Sequence, residues 1–137
     1  MPLAYRVDAE NRLIVAAGYG TVTDDEVFDY QRRIAARTET AGYDELLDVS
    51  QVDRIVLTST DRVNELASEA AGMDAMRGSS KLAIVAPSDL AYGLGRMFQA
   101  RREMDRRTKR IVGVFRTMAE ALSFLELDSA PSLPPPE

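Results

Sequence analysis

The chain has 137 residues and a net charge of −5, with 45% hydrophobic and 28% charged side chains, which bounds it to one globular domain long enough to bury a core without staples. Histidine and cysteine are both absent, which excludes disulfides, His or Cys zinc sites and the Ser/His/Asp and Cys/His nucleophile arrangements. No apolar run approaches the ~20 residues of a membrane span, and MPLAYRVDAENR lacks the basic start and apolar core of a secretory signal, so a cytoplasmic home is the expectation.

Tyr5–Val7 and Leu13–Ala17 read as two short strands around the turn Asp8-Ala9-Glu10-Asn11, an opening hairpin. In GYGTVTDDE, Thr23 and Glu26 make a capping box, with Asp24 and Asp25 at the positive helix end. Val27, Tyr30, Ile34 and Thr38 then trace one helical stripe, and Gly42 closes that region. Glu45–Val49 is a short buried strand. Thr58-Ser59-Thr60-Asp61 opens a second helix, with Ser59 read as its N-cap, whose stripe is Val63, Leu66, Ala67, Ala70 and Met73 and which ends at Gly78.

Leu82–Ala86 is a core strand stopped by Pro87, and Ser88 caps a third helix. On its wheel Leu90, Leu94, Met97, Phe98 and Met104 share the buried side, while Tyr92, Arg96, Gln99 and Glu103 share the other. Gly93 is read as a close-packing position and Gly95 as lying on the polar side. Ile111–Phe115 is the last strand, and Thr117 with Glu120 caps a final helix through Ala121, Leu122 and Leu125. One domain therefore covers residues 1–127, and the Pro-rich tail 128–137, with too few apolar groups to offset the cost of ordering it, is expected to be disordered.

The order is ββαβαβαβα. Strands separated by helices run parallel, with right-handed crossovers, and the first two strands are antiparallel. The fold class is α/β, a mixed five-stranded sheet covered by helices. On G-x-V-T-x-x-E (Gly20 to Glu26), L-L-D-V-S (Leu46 to Ser50), Y-G-x-x-R-M (Tyr92 to Met97) and V-F-R-T-M-x-E-A (Val114 to Ala121), in that order, the chain resembles the STAS or SpoIIAA-like family. The likeness covers about residues 3–127 and is to the SpoIIAA-like branch, which is grouped with Sec14-type lipid-binding domains. The resemblance implies a noncatalytic regulatory module. In the anti-sigma-factor-antagonist branch a serine opening the helix after the third strand is phosphorylated, and that region binds a kinase. The matching position makes Ser59 the candidate phosphorylation site, although Leu57 stands where that motif has an Asp and Thr60-Asp61 follow the serine.

Residues 96–110 hold seven basic and two acidic side chains on an otherwise acidic chain. The run Arg101, Arg102, Arg106, Arg107, Lys109 and Arg110 reads first as a solvated helix end, where cations are favoured, and second as a patch suited to a small anionic ligand or an acidic partner. Without interleaved aromatics it does not suit nucleic acid. Tyr92, Arg96 and Gln99 form one row that could bind an anionic or planar group. Asp48 and Ser88 fall at the C-terminal ends of parallel strands, the edge where open α/β sheets hold ligands. No metal or other cofactor is expected. Three functions follow: a noncatalytic, homodimeric module binding a small lipid or acyl ligand between the sheet and the third helix; a phosphorylation-switched partner of a kinase acting through Ser59; and a small enzyme using Asp48 oriented by Arg96 or Tyr92.

Overall fold

The computed structural model describes residues 2–137. Strands β1 (Leu3–Asp8), β2 (Leu13–Thr23), β3 (Asp44–Val56), β4 (Ser80–Val85) and β5 (Arg110–Phe115) form one sheet in the spatial order β1-β2-β3-β4-β5. The β1–β2 pair is antiparallel and every later pair is parallel, as the helical crossovers require. Helices α1 (Asp24–Ala35), α2 (Asp61–Arg77), α3 (Asp89–Glu103) and α4 (Met118–Leu125) complete the domain. No helix among the described residues is long and apolar enough to cross a membrane.

Side chains alternate across each strand, and the two faces have different covers. Ile14 and Ala16 of β2 pack with Tyr30 and Ile34 of α1, while Leu82 and Ile84 of β4 pack with Val63, Ala67 and Phe98 of α2 and α3. The opposite face carries Leu13, Val15, Leu46, Ala83 and Val85 under Ala121 and Leu125 of α4. Three helices therefore lie on one face and one on the other.

The caps follow the local chemistry. Thr23 accepts from the Glu26 amide and Glu26 reaches back to the Thr23 amide, a complete capping box. Ser88 and Thr117 cap α3 and α4 through Ala91 and Glu120. Gly78 ends α2 at φ 73°, a left-handed backbone that glycine adopts without a Cβ penalty. The start of α2 departs from expectation, because it has no side-chain cap. Ser59 contributes its carbonyl to the Arg62 amide instead, and Thr58 turns away to Asp24.

Two strands outrun their sequence signals. β2 and β3 stay paired from Leu13 opposite Asp44 to Thr23 opposite Val56, with register shifts near Gly18 and Gly20. The polar stretch Ser50-Gln51-Val52-Asp53-Arg54 is thus strand, held by ladder hydrogen bonds rather than by burial of every second residue.

The tail also differs from its expected disorder. Tyr19 donates its hydroxyl to the Pro134 carbonyl, and Arg6 donates to the Ser132 carbonyl at 2.9 Å. Leu133 packs on the α4 side of the sheet and Pro134 is buried. The reason is geometric. Helix α4 lies over β4 and β5, so Leu13 and Val15 of β2 need another cover on that face, and the tail supplies it.

Candidate functional site

A cavity of about 200 Å³ lies between the sheet and α1, α2 and α3. Its wall is mainly apolar, including Leu47, Val52, Ile55, Leu66, Met73 and Leu94. The small side chains of Ala70 and Ala91 keep space open where larger ones would fill it.

The cavity wall also includes a set of buried charges where the parallel strands begin. Arg77 and Arg102 occupy or adjoin the last turns of α2 and α3, where the negative helix ends favour cations. Arg110 opens β5, and Glu45 lies in the second position of β3. Arg102 donates through Nη2 to both Asp74 oxygens, at 2.8 and 2.6 Å. Asp74 also accepts the backbone N–H groups of Lys109 and Arg110. Arg110 donates to Glu45 Oε1 at 2.9 Å and to the Ser80 hydroxyl at 2.7 Å. The Tyr30 hydroxyl donates to the other Glu45 oxygen. Arg77 donates through Nη1 to Thr40 Oγ1 at 2.9 Å, and its Nη2 stands 3.9 Å from Glu45 Oε1 without a hydrogen bond.

Burial and pairing set the electrostatics of this cluster. Burial pushes the Glu45 carboxyl up, but the Arg110 guanidinium and the Tyr30 hydroxyl outweigh it and hold Glu45 below its ordinary range. Burial, then the Glu45 charge, push the Tyr30 phenol well above its usual value, so it remains a donor. Burial lowers Arg77, and the nearby Arg110 charge lowers it further.

A second polar group lines the cavity where α1 and α2 begin. Asp24 is buried and accepts from the Thr58 amide at 2.9 Å, the Thr58 hydroxyl at 2.7 Å and Arg62 Nε at 3.1 Å. The Thr58 amide and hydroxyl, aided by Arg62, hold the Asp24 carboxyl down at about 2. Arg62 also stacks on the Phe28 ring, 4.2 Å from its centre.

No protein-family model matches this sequence, and no curated protein matches it. Among solved structures, the chain is similar to an uncharacterized protein from the DUF3478 family with a SpoIIAA-like fold, from Shewanella loihica PV-4. The TM-score is 0.52 at 15% identity, over 90% of this chain and 93% of that one. The fold is SpoIIAA-like. A second structure, the anti-sigma factor antagonist SpoIIAA in its unphosphorylated form, aligns at 12% identity and a TM-score of 0.47, over 90% of this chain and 98% of that one.

In this SpoIIAA-like frame the residues singled out from sequence fall in separate places. Leu47 and Val49 of β3 face α2 and α3, so by strand alternation Asp48 faces the α4 side. There it accepts the Ser50 amide at 2.8 Å. Asp48 is therefore across the sheet from Tyr92 and Arg96, and the three do not meet. The Tyr92 ring lies under the Arg116 guanidinium, 4.2 Å from its centre, and Arg116 also holds Asp89 and the Pro87 carbonyl. Gln99 donates to the Val112 carbonyl of the edge strand β5 at 2.8 Å. Ser88 is engaged as the α3 cap. Arg96 is exposed, and Ser59 is exposed on the loop before α2.

The α3 wheel is corrected in part. Phe98 is buried and Leu94 packs on the same core, as expected, but Leu90, Met97 and Met104 are 60%, 43% and 74% exposed, and Ala91 and Arg102 are buried in their place. A Cβ on Gly95 would meet Val114 Cγ1 at 2.8 Å, and one on Gly93 would meet nothing within 4 Å. Gly95, not Gly93, is the close-approach residue. Within the basic run, Arg102 and Arg110 point inward to Asp74 and Glu45 instead of to solvent, while Arg101, Arg106, Arg107 and Lys109 are exposed as expected. The residues missed from sequence are Tyr30, Glu45, Asp74 and Arg77. A charge triplet of Asp74, Arg77 and Arg102 on helix faces otherwise carrying Ala70, Ala71 and Phe98 was the available signal.

Proposed function

We propose that this protein is a noncatalytic regulatory module that takes a small apolar or amphiphilic ligand into the cavity between its sheet and α1–α3. The observation that carries this reading is the cavity itself, which is open among apolar side chains in a core that close packing would otherwise fill. The SpoIIAA-like fold supports the regulatory part of the reading. The reading includes a homodimer, supported by Leu90 and Met97 of α3 and Met104 just after it, which leave apolar surface exposed.

Native mass spectrometry of freshly purified protein, with organic extraction of the same sample, tests both parts. A retained small molecule and twice the subunit mass are expected. Bare subunit mass in repeated preparations, with nothing extracted and no uptake of the neutral apolar dye Nile red, would remove the reading. Ala70→Leu, which places a larger side chain in the cavity wall, is expected to lower Nile red uptake by about tenfold while the protein stays folded.

A further inference from the structure

Arg77 leaves a donor unused where that is costly. Its side chain lines the cavity, and its Nη2 is buried without a hydrogen-bond partner. The anions near it are already engaged. Glu45 Oε1 accepts from Arg110 and Glu45 Oε2 from Tyr30. Both Asp74 oxygens accept from Arg102, and one of them also takes two backbone N–H groups. Thr40 and, weakly, the Ile34 carbonyl satisfy only the Nη1 of Arg77.

The charges do not balance either. Glu45, Asp74, Arg77, Arg102 and Arg110 are each more than nine-tenths buried. Two carboxylates face three guanidiniums, so one positive charge has no counterpart in the cluster. A buried cation without its own anion is strongly disfavoured, and arginine does not lose its proton to escape. The missing component is one negative charge with a free acceptor oxygen, delivered from the cavity.

We infer that the cavity takes a small carboxylic acid, its carboxylate accepting from Arg77 Nη2 and its apolar body lying among Leu47, Leu66, Met73 and Leu94. This rests on the cavity-binding reading above and adds the head group to it. A single surplus charge fits a carboxylate better than a phosphate monoester, which carries about −1.5 to −2 at neutral pH. A volume of about 200 Å³ is below the ~300–1,000 Å³ of drug-sized pockets, so a short or medium chain fits and a long acyl chain does not.

Isothermal calorimetry at pH 7 with octanoate, neutral octanol and octyl phosphate separates the two claims. The wild-type protein is expected to bind octanoate about tenfold tighter than octanol or octyl phosphate. Arg77→Lys keeps that preference, because it keeps the charge. Arg77→Met brings octanoate and octanol to within about twofold of one another while leaving octanol affinity near the wild-type value. Equal binding of octanol and octanoate by the wild type overturns the head-group inference and leaves the cavity reading standing. A preference for octanoate that survives in Arg77→Met overturns the assignment to Arg77. Tighter binding of octyl phosphate overturns the monoanion. Failure of all three ligands and of Nile red sinks the underlying reading instead. Should Arg77→Met fail to fold by circular dichroism, Arg77→Gln, which keeps an N–H donor but not the charge, replaces it. It is expected to bring octanoate and octanol to within about twofold of one another, a surviving preference of about tenfold overturning the assignment.

Discussion

Gly93 and Gly95 stand two positions apart on α3 and have opposite costs. Gly93 sits in the helix with no heavy atom within 4 Å of a built Cβ, so Gly93→Ala is expected to stabilise the protein by up to about 1 kcal/mol through helix propensity. Gly95 allows α3 to press on β5 through Val114, so Gly95→Ala is expected to cost about 1–3 kcal/mol by overpacking. Urea denaturation of both variants checks this, and equal effects would contradict the contact. Asp24 gives a pH test at the same scale. Its carboxyl is held near 2 against an ordinary value of 3.8. A lowered folded value contributes stability that is fully present above the unfolded value and is lost as pH falls through the folded one. Wild type is therefore expected to exceed Asp24→Asn in stability at pH 7 and pH 5, and the gap should close between pH 4 and pH 2. A gap that does not change over that window would show that Thr58 and Arg62 do not stabilise the charged form.

At the scale of elements, the ion pairs differ by burial. The Arg102–Asp74 pair joins α2, α3 and the start of β5 with both side chains almost wholly enclosed. Removing one partner leaves an uncompensated buried charge, so Asp74→Ala is expected to cost about 3–5 kcal/mol. The Arg32–Glu69 pair between α1 and α2 is partly exposed, and Glu69→Ala is expected to cost about 0–1 kcal/mol. Chemical denaturation of the two variants side by side measures the ratio. The C-terminal end of α3 shows why such a buried pair is not visible in the sequence. A run of arginines there reads as a solvated helix end, because cations favour that end in any case. What turns Arg102 inward is Asp74, 28 residues earlier in the chain, and no local pattern shows that pairing. The same holds for the buried face of α3. Leu90, Met97 and Met104 carry part of the hydrophobic signal but stay exposed, because Ala91 and Gly95 let the helix approach its neighbours on the side that also buries Phe98.

For the whole molecule, the tail closes a face that the helices leave open. Leu133 and Pro134 cover the β2 side of the sheet beyond α4. A chain ending at Leu127 is expected to fold and to lose about 1–2 kcal/mol, the burial of one large apolar side chain less the entropy of ordering the tail. Thermal unfolding and the near-ultraviolet signal of Tyr19 report this. Unchanged stability with an unchanged Tyr19 signal would show that the tail does not dock.

The ββαβαβαβα order, the direction of each strand and three of the helix caps were readable in the chain itself. They depend on residues within a few positions of one another: the Thr23–Glu26 box, Ser88 before Ala91, Thr117 before Glu120, and crossovers that force parallel pairing. Leu133, the only large apolar residue of the tail, is the one local sign that the tail has a face to bury. Tertiary structure alone decided the cavity, the unpaired Arg77 and the side of α3 that faces inward. Each depends on distances between groups 15 to 65 residues apart, such as Tyr30 with Glu45 and Glu45 with Arg110. Burial and charge balance are sums over such neighbours, and periodicity along one element does not contain them.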